Sequence, residues 1–256
     1  MPLFRKPVAQ IYVTEVRQRM DPLVVPIFAP DTAIDVGDFG SFEDGRFVRY
    51  GTLADRGVAL EKDENPTNPF EFASSGKVSI GPSIKVPNPL GGELVSAKLK
   101  FEHSRAVIAS FKGGFDRSIR DGDAFQDVLA DLWASKRLRT DRAVVWSMRG
   151  APGGTVVVSE DGDNELEVSA DSALLGPAGI TLGNLSLGVN FGAERHATWK
   201  MSEPTGKFVV WARLYKLDPR SQTAINAFGF EPGGPRPNVR TVQYSSDELL
   251  DQLEGD

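Results

Sequence analysis

Few residues in this chain could do covalent or metal chemistry, and their spacing narrows the choice further. Cysteine is absent, which removes disulfides, thiol nucleophiles, thiolate metal sites and cysteine-linked lipid. The two histidines, His103 and His196, stand far apart, and neither is followed by a second ligand at metal spacing. His103 falls on the apolar phase of an alternating stretch, which predicts a core or interface histidine. His196 stands beside Glu194 and Arg195, at a strand end or in a loop. Asp161-Gly-Asp163-Asn-Glu165 sets three carboxylates at alternate positions, as a calcium loop begins. Leu166, however, occupies the place where such a loop needs glycine, and no bidentate glutamate follows at the required distance; a hairpin turn is predicted. Gly150 to Gly154 is glycine-rich but lacks the lysine and following helix of a phosphate-cradling loop. No Gly-x-Ser-x-Gly elbow occurs. The reading assigns no catalytic residue, metal or cofactor, and expects a protein that works by physical interaction.

Charge points to where that interaction lies. The formal net charge is −6, unevenly divided. From Lys77 to Arg120 eight bases face three acids, a net of +5. From Asp218 to Asp256 three arginines face seven acids, a net of −4. A basic stretch within an acidic chain attracts an anionic surface or an acidic segment over about one Debye length. The acidic balance disfavours nucleic acid as a partner. The N-terminus, Met1 to Pro7, carries no apolar run of signal-peptide length, and no window approaches the roughly 20 apolar residues of a spanning helix. The expectation is a cytoplasmic protein.

The elements that must position these groups are mostly strands. Val8, Ile11, Tyr12, Val16 and Met20 share a helical face, which predicts a short amphipathic N-terminal helix ended by Asp21-Pro22. Leu23 to Phe28 reads as a strand in which Pro26 marks an edge or bulge. Asp44-Gly45 between alternating aromatics predicts a hairpin over Phe39 to Tyr50. Lys62 to Pro69 reads as a polar loop. Apolar residues then recur at every second position, at Phe70, Phe72, Val78, Ile80, Ile84 and Val86, and again at Ala97, Leu99, Phe101, His103, Val107, Ala109 and Phe111, interrupted by the turn cluster Pro87 to Gly92. Asp123 is placed as the cap of a helix carrying Phe125, Val128, Leu129, Leu132 and Trp133 and closing at Lys136-Arg137. Further strands are predicted over Ala143–Met148, Thr155–Ser159, Glu165–Ala170, within Ile180–Trp199, and over Lys207–Leu217. The fold class is α+β: a twisted, mainly antiparallel sheet with a few surrounding helices. Its domain is expected over 1–217.

Residues 218–256 read as a short C-terminal tail added to that finished domain. Ile225, Phe228 and Phe230 form an apolar piece, Glu231 to Pro237 a linker, and Ser245 to Leu253 an acidic helix with a capping box.

Taken in order, several pieces resemble bacterial gasdermins, pore-forming proteins of bacterial defence. They are the N-terminal helix leading into Leu23-Val-Val-Pro26, Gly51-Thr-Leu-Ala-Asp55, the strand pair around Ser79 to Phe111, the helix at Asp123 to Arg137, Ala143-Val-Val-Trp-Ser147, and Lys207-Phe-Val-Val-Trp-Ala-Arg-Leu214. The likeness spans roughly residues 8 to 217 and rests on order and pattern. It implies a monomer held inactive in the cytoplasm by its C-terminal segment. A protease cuts, protomers form a homo-oligomeric ring, and two hairpin regions per protomer refold into one β-barrel in the inner membrane. On that reading Leu99, Phe101, Val107, Phe111, Leu185, Leu187, Val189 and Phe191 insert, because barrel strands alternate apolar outward and polar inward. Lys98, Lys100, Lys112 and Arg117 dock on anionic lipid. Ile225, Phe228 and Phe230 form the inhibitory latch, and Asp218, Arg220 and Arg240 are candidate cleavage sites. The chain departs from the family in lacking a lipidated cysteine near its N-terminus and in having a longer tail. The competing class is a β-rich structural subunit of a phage tail or injection machine.

Overall fold

The computed structural model describes residues 6–28, 32–74, 78–80, 84–87, 93–111, 113–160, 162, 164–171, 196–201, 208–221 and 240–254. It is an α+β fold built on antiparallel sheet. The main sheet runs β1 (Val25–Pro26), β15 (Phe208–Leu217), β11 (Ala143–Ala151), β10 (Phe115–Ile119), β4 (Lys62–Pro66). Strand β2 (Asp38–Glu43) pairs with the start of β11, and β3 (Arg46–Thr52) with β2. The β2–β3 turn is the predicted one: Asp44 and Gly45 both have positive φ, 48° and 77°, as the tightest hairpin turns require. Pro26 lies in the edge strand β1, opposite Trp211, where its missing N–H breaks no ladder.

Two strand sets continue from this sheet into one ribbon. Strands β5 (Phe70–Ala73) and β9 (Ala106–Phe111) pair with β12 (Gly154–Ser159) and β14 (His196–Met201) in the order β14-β12-β9-β5. Beyond them β6 (Val78–Ile80), β7 (Ile84–Pro87), β8 (Glu93–Phe101) and β13 (Asn164–Asp171) form a further sheet. The two are joined in register. Gly154 pairs with Phe111 and Ser159 with Ala106; Asn164 pairs with Phe101 and Asp171 with Leu94. The same offset holds from one end to the other, so β8–β9 and β12–β13 keep one register along a single ribbon, and between the two sheets the Arg105 amide donates to the Glu160 carbonyl at 3.3 Å. At about 3.3 Å per residue the ribbon is on the order of 55 Å long.

Helix α1 (Lys6–Arg17) packs on β9, β12 and β1. Val8, Ala9, Ile11, Tyr12, Val13 and Val16 are all buried, so its apolar face is wider than the amphipathic pattern implied, and Met20 lies beyond its end. Helix α2 (Gly122–Ala134) buries Phe125, Leu129, Leu132 and Trp133 as predicted, but its cap is Asp121, which accepts the Ala124 amide at 2.9 Å, not Asp123.

Three local expectations fail. Residues 62–66 are a strand, not a loop: β4 pairs along β10 with mostly exposed polar side chains, so no apolar period announces it. The β10 strand itself was not anticipated. His103 is exposed rather than in the core, because Arg105 with φ 59° turns the chain there and ends the alternation at Phe101.

Candidate functional site

The segment 240–254 closes the main sheet. Along β15 the side facing away from β11 is taken by β1 at one end and at the other by β16 (Thr241–Gln243). Tyr215 pairs with Gln243, Lys216 with Val242 and Leu217 with Thr241. The ladder runs one step further, since the Asp218 amide donates to the Arg240 carbonyl at 3.0 Å and the Arg240 amide to Ser221 Oγ at 2.9 Å. Thr241 Oγ1 reaches Gln126 Oε1 of α2 at 2.8 Å.

Helix α3 (Ser246–Glu254) follows. Ser245 accepts the Glu248 amide and Glu248 accepts the Ser245 amide, the reciprocal box the sequence predicted. Leu249, Leu250 and Leu253, spaced for one helical face, are buried in the common core with α1 and the main sheet. Leu253 meets Ala9 of α1 at the β2–β3 turn: a Cβ added to Gly45 would lie 2.8 Å from Ala9 Cβ and 3.0 Å from Leu253 Cδ2. Tyr244 packs on Phe42 with ring centroids 5.3 Å apart, and Lys216 Nζ lies 5.3 Å from the Tyr244 ring. The polar rim is charge-matched. Asp247 pairs with Arg17 and Glu248 with Lys216, Gln10 donates to Glu254 at 3.3 Å, and the Ser246 amide donates to the Pro22 carbonyl at 3.1 Å.

The segment is therefore part of the core and not an addition to it. Its acidic helix answers Arg17 and Lys216, where the sequence suggested the stretch Lys77 to Arg120. Several buried polar atoms around this closure have no protein partner. Gln243 Oε1 and Tyr244 Oη are buried and unbonded, as are Arg213 Nε on β15 and Trp146 Nε1 on β11 behind it. Burial first, and the nearby Glu248 carboxylate second, push the Tyr244 phenol above its ordinary range.

Helix α1 links this segment to the ribbon. It contacts α3 and also β9 and β12, where Val107 and Phe111 join the core. Phe101 is likewise buried at the end of β8. Further out, the register places Leu166 opposite Leu99, Val168 opposite Ala97 and Ala170 opposite Val95. It places Glu165 opposite Lys100 and Glu167 opposite Lys98. Because alternate residues of a strand share a face, the three apolar pairs fall on one face of these strands, and the two Lys–Glu pairs fall on the other with Ser169 opposite Ser96 and Asp171 opposite Leu94.

Of the cations predicted to dock lipid, Lys98, Lys100 and Arg117 lie in described strands. Lys98 and Lys100 stand on the ribbon opposite carboxylates, and Lys100 also lies 3.2 Å from Glu102. Arg117 is in the main sheet, bonded to Asp35 at 2.7 Å and Glu64 at 2.5 Å. Burial of the Asp35 carboxyl works against ionisation, but Arg117, the Val36 amide and Lys62 together hold it below the usual carboxylate range. Arg120 is similarly held by Asp63 and Glu61. Lys112 lies outside the described residues, as do Leu185, Leu187, Val189, Phe191, Ile225, Phe228 and Phe230. Of the cleavage candidates, Asp218 and Arg240 are bonded to each other, and the Arg220 amide donates to Asp218 Oδ1 at 2.8 Å. An open cleft of about 710 Å³ beside α2 is lined by Val58, Leu60, Ile119 and Phe125, but Arg120 and Asp121 at its rim are committed to Glu61, Asp63 and the helix cap.

Among the described residues no group of three or more His, Cys, Asp or Glu is placed to hold a metal ion, and no helix is long and apolar enough to cross a membrane. No protein-family model matches the chain, and no curated protein matches it.

Proposed function

We propose that this chain is a membrane pore-forming protein held inactive by its C-terminal strand and helix, with proteolysis between the main sheet and that segment as the switch. The observation that supports this reading is the ribbon: strands in one constant register, with Leu166–Leu99, Val168–Ala97 and Ala170–Val95 facing one another at alternate positions of β8 and β13 and two Lys–Glu pairs at the positions between. A barrel strand crosses the hydrocarbon in about 9–11 residues with lipid on one face and water on the other, and β8 spans Glu93–Phe101. On insertion Leu99 would meet lipid, while Lys98, Lys100, Glu165 and Glu167 would line the lumen. Val107 and Phe111 reach lipid only if the base of the ribbon leaves α1. Helix α1 contacts both α3 and that base, so losing α3 loosens what holds the ribbon down. Many protomers supply the strands of one barrel, which makes the active form a ring at the inner membrane and the intact chain a cytoplasmic monomer.

The test is dye release from vesicles containing anionic lipid, before and after a cut within 222–239. Release that requires the cut supports the reading. Rings or filaments without release would favour a structural assembly subunit, and neither would reject both.

A further inference from the structure

The slot that holds residues 240–254 has the parts of a peptide receptor. Strand β15 offers Tyr215 to Asp218 as an edge that takes an antiparallel strand. Ala9 and Gly45 bound a hollow filled by Leu253. Arg17 and Lys216 supply two cations, and the Pro22 carbonyl receives the first amide of the helix. Strand addition and helix-in-groove docking are separately common ways of binding peptides; here they are adjacent. The occupant is also self-contained. Its capping box lies wholly within Ser245–Glu248, so the helix brings its own N-terminal closure to the slot.

We propose that this slot is a binding site for a separable ligand: an acidic strand-then-helix peptide with the sequence of 240–254, accepted in trans as well as in cis. A chain cut within 222–239 then stays covered until its segment exchanges out, and excess free segment covers it again. This rests on reading the segment as a cover, and not on what the uncovered protein does.

The contacts give the site both selectivity and reversibility. Carboxylates are wanted at the positions of Asp247 and Glu248, and leucines at 249, 250 and 253. Gln243 Oε1 and Tyr244 Oη are buried without a protein partner in the docked segment, and a buried polar group without a partner costs on the order of 1–3 kcal/mol. In the intact chain the connection through 222–239 offsets this by raising the segment's effective concentration, and a cut removes that advantage without removing a single contact.

The experiment uses the full chain with a specific protease recognition sequence placed within 222–239, cut after folding. The cut protein is gel-filtered and then incubated with excess fluorescent peptide Arg240–Asp256. The expected result is co-elution of the cut segment at low salt and its replacement by the labelled peptide. Uptake should fall about tenfold between roughly 0.05 and 0.5 M salt. Arg17→Glu should weaken uptake of the native peptide, and a peptide carrying Asp247→Arg should recover it. Immediate loss of the segment at low salt with no uptake of peptide overturns the proposal. So does a cut segment that never exchanges, or uptake indifferent to Arg17→Glu. Vesicle leakage measured in parallel separates the two ideas. Peptide uptake with no leakage from the uncovered protein keeps the receptor site and rejects the pore, whereas cut-dependent leakage without peptide uptake does the reverse.

Discussion

The backbone amide of Arg240 donates to Oγ of Ser221 at 2.9 Å, while the Arg240 carbonyl accepts the amide of Asp218 at 3.0 Å. Residues 218, 221 and 240 are thereby held together at the margin of the main sheet. A protease binds its substrate as free, extended backbone, and Arg240 offers neither a free amide nor a free carbonyl. The bond after Arg240 is protected by the fold even though the side chain is exposed.

Removing the hold should expose that bond. Ser221→Ala deletes one hydrogen bond worth about 1 kcal/mol, so cutting by a trypsin-like enzyme after Arg240 should rise roughly fivefold. Mass spectrometry of timed digests reads this directly. An unchanged rate would mean that Arg240 is open to proteases without local opening.

The buried leucines of α3 should contribute to the stability of the whole chain. Leu249→Ala should destabilise by about 2–5 kcal/mol in urea unfolding, as for other large-to-small core changes. A change within about 0.5 kcal/mol, usual for surface positions, would show that the segment adds nothing to the fold.

The facing charges of the ribbon should be interchangeable as pairs. Lys98→Glu sets two acids opposite each other at Glu167 and should lower leakage from the cut protein, because like charges in facing positions destabilise a ladder by up to about 1 kcal/mol. Adding Glu167→Lys should restore it. A second test of the same surface is Leu99→Asp, which places a charge on the face assigned to lipid and should abolish leakage while vesicle binding persists. Full leakage from Leu99→Asp would remove β8 from the membrane-spanning set.

Two neighbouring carboxyls should titrate in opposite senses. Burial of Asp38, outweighing the Asp35 amide and Arg49, raises its pKa, whereas Asp35 is held low. For Asp35 the folded-state value lies below the unfolded one of about 3.9. Its contribution to stability is therefore present above about pH 4 and lost as pH falls through the depressed value. For Asp38 the sign reverses: the folded state is penalised at neutral pH, and the penalty fades as pH falls through the raised value. Carboxyl-resolved NMR titration should find Asp38 above and Asp35 below the ordinary midpoint; the reverse order would break the Arg117–Asp35 assignment.

What was legible in the sequence was local. Asp44-Gly45 dictates a hairpin because few residue pairs accept positive φ in succession. The i, i+3, i+4 spacing of Phe125, Val128, Leu129 and Leu132 marks α2, and Ser245 with Glu248 marks the start of α3. Period-2 alternation marked β5, β6, β7, β8 and β9, where apolar residues recur at every second position. The same pattern misled at His103, because a phase can continue by chance across a turn that Arg105 makes.

Only the tertiary structure decided which charges meet and what α3 covers. Strand β4 was illegible because a polar edge strand needs no apolar period, and its acids become visible as partners only when β10 brings Arg117 and Arg120 beside them. The excess of bases from Lys77 to Arg120 suggested a docking surface, yet two of those bases are answered by residues some fifty positions earlier. The leucines at 249, 250 and 253 did signal a face in need of cover, but nothing in their spacing names α1 as that cover. Ion pairs and helix packing join residues across hundreds of positions of chain, as Arg17 and Asp247 do. Sequence periodicity records only each element's own two faces, so the partner of a face is known once the elements are folded together.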